Sequence, residues 1–216
     1  RKKNMILLFT ATIDPKGCLN VERSDIKIRR KDYYDNIKRF LDETDIEIVF
    51  VENSGADLGE IKEFLNNERV EILQFEGNDY PRYLGKGFGE MSIINYAIKN
   101  SKKLKEIDYI IKITGRYYFD YNKVKDELKN NQFVIYKRES DIRGSYVCTG
   151  FYKVPKKFWV NEFSHKKISD EKASYYMETN FAISLIPHIG CVYEVDMELE
   201  GISGTNNKPM INGLHT

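Results

Sequence analysis

The sequence predicts an α/β domain built on a doubly wound sheet, mostly parallel in its first half and partly antiparallel in its second. Two observations carry this. Short apolar, β-rich runs alternate with amphipathic helical stretches up to about residue 130, in β-α-β-α-β-α order. Beyond that point, strand-like runs follow one another closely, as in antiparallel pairing. At 216 residues the chain is long enough to bury a sizeable core without staples, and no repeat or linker divides it. A single domain over 1–216 is expected.

Met5 to Thr12 is apolar on both faces, the pattern of a strand between two helical layers. Its apolar run is too short to span a bilayer. Arg30 to Glu43 places Tyr33, Ile37, Phe40 and Leu41 at helical spacing. IEIVFVENSG reads as the second strand, Leu58 to Asn66 as a helix, and VEILQFEG as the third strand. A Gly-rich loop then leads to a helix from about Glu90 to Lys99. DYIIKIT, residues 108–114, is the fourth strand, and a helix follows around Asn122 to Lys129. NQFVIYKRE and YVCTGFYKVP read as closely spaced strands, followed by a short helix and CVYEVDME as a late strand. Right-handed crossovers put a ligand crevice at the carboxyl ends of the parallel strands, in segments 10–17, 52–56, 76–90 and 112–122.

Charge excludes some partners. With 34 basic and 33 acidic side chains, no summed field draws the chain to nucleic acid. Cys18, Cys148 and Cys191 are far apart and form no CxxC pair, which fits a reducing, cytoplasmic compartment. His165, His188 and His215 lack ligand spacing, so no zinc site is expected.

Three strand-end strings and one loop near the C-terminus carry chemistry. VENSGAD follows strand two. There Glu52, Asn53 and Ser54 offer acceptors suited to a base N–H or a ribose hydroxyl. KITGRYYFDYN ends strand four with Lys112, Gly115 and Arg116, and a guanidinium fork binds a departing diphosphate well. The glycine permits close backbone approach. EGNDYPRYLGKGFGE places glycines and Lys86 before a helix start that favours an anion. It lacks the GK[ST] ending of a Walker motif, which removes a kinase reading. EGISGTNNKPM near the C-terminus is rich in small polar donors.

On these strings the chain resembles the glycosyltransferase-A superfamily, especially bacterial enzymes that assemble lipopolysaccharide and capsule. VENSGAD stands where that superfamily carries an acidic-Asn/Ser nucleoside loop, and the KxTGRY-like string stands where it carries Asp-x-Asp. The resemblance implies a Rossmann-like mixed sheet in which 1–130 is the nucleotide-sugar half and 131–216 the acceptor half. It implies transfer from a nucleoside-diphosphate sugar, a uridine diphosphate sugar by preference, to a glycan or lipid-linked glycan. Inversion and a hexosyl donor are expected. So is a location at the inner membrane face, with peripheral membrane or partner-protein association.

Donor-binding candidates under this resemblance are Thr10, Thr12, Glu52, Asn53, Ser54, Asn78, Arg82, Lys86, Glu90, Gly115, Ser203 and Thr205. Thr149, Gly150 and Trp159 are expected on the acceptor side. The catalytic set is Glu178 as base, in YYMETNFAISL, with Asp170 and Glu171 as rivals, and Lys112 and Arg116 at the leaving group. No metal or cofactor is required, with Asp120 and Asn122 as a shifted metal site if one exists. A sugar nucleotidyltransferase is the alternative enzyme, though TATIDPKG after strand one lacks its glycine run. An inert carbohydrate-binding or scaffold domain is the alternative outside catalysis.

Overall fold

The computed structural model describes residues 5–141, 144–163 and 176–210. A seven-stranded sheet runs in the order β10-β6-β9-β4-β1-β2-β3. Its strands are β1 (Ile6–Ala11), β2 (Glu47–Glu52), β3 (Val70–Gln74), β4 (Tyr109–Thr114), β6 (Phe133–Ile135), β9 (Phe151–Pro155) and β10 (Val192–Glu194). β1, β2, β3 and β4 are parallel, and β9 runs antiparallel to both β4 and β6. β10 pairs parallel with β6, so one strand alone is reversed. Two small pairs stand outside: β5 (Tyr117–Tyr118) with β11 (Glu200–Gly201), and β7 (Arg138–Asp141) with β8 (Gly144–Val147). The expected second-half strands are thereby split. Each breaks where the chain leaves the main sheet for the β7–β8 hairpin.

The two-residue period of the strands sorts the core into two layers. Leu7 and Phe9 of β1, Ile48 and Phe50 of β2, and Ile111 and Ile113 of β4 face one cluster. Leu8, Val49, Val51 and Ile110 face the other. α1 (Ile26–Glu43) covers the first with Tyr33, Ile37 and Phe40. α2 (Gly85–Asn100) covers the second with Met91, Ile94 and Ala97. Each such side chain taken fully out of water contributes roughly 1.5–3 kcal/mol.

Helix starts differ from the sequence reading for identifiable reasons. α1 begins at Ile26 rather than Arg30 because the Asp25 side chain caps it, accepting from the Ile28 N–H. That moves Arg29 into the helix, on its buried face. α2 begins at Gly85 rather than Glu90, taking the expected Gly-rich loop into its first turns. Gly89 is tolerated there because a Cβ would meet the Tyr80 hydroxyl at 2.6 Å, space which that ring fills. Residues Gly59–Asn66 form a 3-10 helix rather than an α-helix. Two further helices are α3 (Tyr121–Lys129) and α5 (Met177–Leu185), with a single turn α4 (Lys156–Phe158) between them.

Lys153 of β9 is buried and donates to the Leu128 and Asn130 carbonyls at the end of α3. Burial pushes its ammonium down to about 8. Lys153→Met is expected to lower stability by about 1–3 kcal/mol, by stranding those carbonyls. Urea denaturation measures this.

Candidate functional site

After β1 the chain adds β2 and β3 on one side, then crosses to β4 on the other side. The crevice of such a sheet opens at that reversal, outside the carboxyl ends of β1 and β4. A cleft of about 920 Å³ lies there, lined by Thr10 and Thr12 from β1 and its loop and by Thr114 and Arg116 from β4 and its loop. Lys86 and Glu90 of α2, Thr149, Gly150, Glu178 and Thr205 also line it.

One end of the cleft is cationic. Arg29 is 5% exposed and Arg116 is 8% exposed. Arg29 donates to the Thr12 carbonyl through Nε (2.8 Å) and Nη2 (2.5 Å), and to the Arg23 carbonyl through Nη1 (2.9 Å). Arg116 donates Nη1 to the Ile202 carbonyl at 2.6 Å, while its buried Nε has no partner. Both converge on Gly204, where a Cβ would lie 2.7 Å from Arg116 Nη2 and 3.6 Å from Arg29 Nη1. Lys86 closes the group, donating to Thr205 Oγ1 at 2.7 Å and to the Asn20 carbonyl at 3.1 Å. Burial lowers the Arg29 pKa, and the nearby Arg116 charge lowers it further. Among the described residues, neither guanidinium lies within ion-pair distance of a carboxylate. Two buried cations held against backbone carbonyls lack, among the described residues, the anion that would offset their desolvation.

The other end holds carboxylates around Thr149. Lys112 of β4 is fully buried. Its ammonium meets Glu90 Oε2 at 2.8 Å, the Thr149 carbonyl at 2.5 Å and Thr114 Oγ1 at 3.1 Å. Expected at a leaving group, Lys112 instead spends its donors inside the sheet and does not line the cleft. The alternation of β4 explains this, since it turns Lys112 into the layer where α2 packs. Burial pushes the Glu90 carboxyl up, against the pull of Lys112, and the neighbouring Glu178 charge adds to the rise. Glu178 stands in the first turn of α5, and Thr149 Oγ1 donates to its Oε1 at 3.5 Å. Between these groups, burial pushes the Cys148 thiol up to about 11.

Several expected site residues serve the fold instead. Glu52 is buried, its Oε1 accepting from the Ile13 and Ser54 N–H groups and the Ser54 hydroxyl, its Oε2 from the Gly55 N–H and Gln74. It ties the end of β2 to the loop after β1, so Glu52 and Ser54 do not face the cleft. Asn53 reaches it only indirectly, accepting from the Thr12 hydroxyl at 2.6 Å. Asn78 is buried and holds the Asp14 carbonyl, while Arg82 bonds Asn78 and the Lys16 carbonyl. Gly115 gives its N–H to the Thr10 carbonyl and packs on Tyr33. Ser203 is buried and accepts the Thr205 N–H, shaping the loop from beneath.

Trp159, expected beside an acceptor, is wholly in the core, stacked near Tyr152 and donating to Asn95 at 2.8 Å. An indole with its N–H satisfied beneath an aromatic cluster offers no face to a sugar. Asp120 caps α3, accepting from the Asn122 N–H, and neither residue lines the cleft. Among the described residues no cluster of three or more His, Cys, Asp and Glu is placed to hold a metal ion. Asp170 and Glu171 lie outside the described residues.

Sequence reasoning missed Arg29. Its signal was present: Arg29, Tyr33 and Ile37 follow at four-residue intervals, so an arginine sits on the apolar stripe of α1.

No family model matches the chain, and no curated protein matches it. Among solved structures it is similar to the WbbM bifunctional glycosyltransferase in its apo form, with a TM-score of 0.53 and 9% identity. That likeness covers 90% of this chain and 39% of the WbbM chain. TarS of S. aureus gives a TM-score of 0.47 at 10% identity, over 84% of this chain and 34% of its own. The mannosyltransferase Ktr4p of S. cerevisiae, in complex with GDP, gives 0.47 at 12% identity, over 85% and 66%. No helix among the described residues is long and apolar enough to cross a membrane. At such identities a likeness speaks for the backbone, and with the sheet order above it establishes that this chain has a mixed α/β fold similar to that of the matched part of the WbbM glycosyltransferase.

Proposed function

We propose that the protein is a glycosyltransferase moving a sugar from a nucleoside-diphosphate sugar, with uridine diphosphate favoured, to a hydroxyl of a glycan or lipid-linked glycan in bacterial surface polysaccharide assembly. The single observation that carries this is the Arg29–Arg116 pair at the reversal point of the sheet, buried and, among the described residues, without a carboxylate. A diphosphate fits that need, because its oxygens match two guanidinium forks and its charge grows as it leaves. The pair serves the charge-neutralising role that a divalent cation has elsewhere. Thr10, Thr12, Arg29 and Arg116 supply the nucleotide-sugar wall, together with the loop at 203–206, and Thr149, Gly150 and Glu178 supply the acceptor wall.

In the proposed displacement, Glu178 takes the proton of the acceptor hydroxyl as that oxygen bonds to the anomeric carbon. The bond from that carbon to the diphosphate oxygen breaks, and its electron pair stays on the diphosphate beside Arg29 and Arg116. Attack opposite the leaving group inverts the anomeric carbon. Thr149 steadies Glu178. Lys112 and Glu90 hold the floor beneath them.

Thermal unfolding with a panel of nucleoside diphosphates, with and without Mg²⁺ or Mn²⁺, tests this reading. One diphosphate is expected to raise the midpoint without metal, and Arg116→Ala to weaken that binding about 10- to 100-fold. A panel in which none binds overturns the proposal and favours an inert module.

A further inference from the structure

The cleft's charges are sorted by sign. Its three cationic lining residues, Arg29, Lys86 and Arg116, all converge on Gly204 and Thr205. Of its carboxylates, Glu22 is exposed at the rim, while Glu90, Glu139 and Glu178 gather around Cys148 and Thr149. Among the described residues, the cations near that second group are already engaged. Lys112 is buried with three oxygen partners, and Lys137 lies 3.1 Å from Glu139, whose other oxygen accepts from Tyr146. Glu178 has no cationic partner among the described residues.

From this we infer that the sugar transferred by the protein is uncharged, and that Glu178 and Glu90 discriminate against sugars bearing a carboxylate. The inference rests on the reading above, in which the diphosphate occupies the cationic end and the sugar extends toward Thr149. A neutral sugar presents hydroxyls, which donate to carboxylate oxygens. A uronic acid places a second anion beside Glu178 with no free cation among the described residues to meet it, and like charges brought together in a partly desolvated cleft repel strongly.

Matched donors that differ only at C6 isolate this effect: UDP-glucose against UDP-glucuronate, and GDP-mannose against GDP-mannuronate. Affinities from calorimetry are compared with those of free UDP and GDP. For the nucleotide that binds, the neutral sugar is expected to bind about tenfold or more tightly than its acid. Glu178→Gln is expected to narrow that gap while leaving the affinity for the free diphosphate unchanged, which a loss of folding would not do. An acid that binds as well as its neutral partner overturns the inference and leaves the diphosphate site standing. So does a result in which neither sugar alters the affinity of the free diphosphate, since no sugar then lies against the carboxylates. Failure of every free diphosphate to bind overturns the functional reading, and the inference with it.

Discussion

Replacing Lys112 with Met is expected to lower the unfolding free energy by about 3–5 kcal/mol, because removing one partner of a buried pair leaves the other charge uncompensated. Glu90 then faces Glu178 without its cation, and the Thr149 carbonyl loses its donor. The pH dependence has a definite sign. Burial already raises the Glu90 carboxyl above its ordinary value, and Lys112 is what pulls it down. Without Lys112 the folded-state pKa rises further above the unfolded one. The stability contributed by the neutral carboxyl is therefore present below the unfolded value and lost as pH climbs through the folded one. Lys112→Met should accordingly lose least below the ordinary glutamate range and progressively more as pH rises through the raised folded-state value. Lys112→Met combined with Glu90→Gln should recover most of the loss at the higher pH. Urea titrations of both variants decide it, and a pH-independent loss in the single variant would mean that the pair is not coupled as described.

Glu178→Gln is expected to slow donor consumption by about 10²–10⁴-fold, the usual worth of a positioned general base. The amide keeps the shape and the contact with Thr149 but cannot take a proton. Diphosphate affinity should stay within about twofold, since the cationic end is untouched. Steady-state release of nucleoside diphosphate and calorimetry on the same sample separate the two. Full activity in the variant would remove Glu178 as the base and direct attention to Glu90, the other carboxylate at Thr149.

Both predictions turn on residues that the sequence singled out, Glu178 as the base and Lys112 at the leaving group, and the structure holds Lys112 inside the sheet instead. Lys112 and Arg116 are four positions apart in one string, yet one ends inside the sheet and the other in the cleft. Glu52 looked like a nucleoside ligand because its string matches a familiar pattern. It is instead satisfied by donors from residues 13, 54, 55 and 74. Trp159 was a candidate on the acceptor side, and its indole is in the core. Arg29 escaped notice because its helix was started four residues late, past the Asp25 cap.

What the sequence by itself determined is the succession of strands and helices, the parallel sheet of the first half and the strand ends at which a crevice opens. These follow from apolar periodicity, a property of neighbours in the chain. Tertiary structure alone decided which polar groups face the crevice and which are spent within the fold. Arg116 is defined by Ile202 and Gly204, Lys112 by Glu90 and Thr149, and Glu178 by Thr149, all partners brought together by folding. A charged side chain's function depends on whether a buried partner has already neutralised it, and the nearest stretch of sequence does not contain that partner.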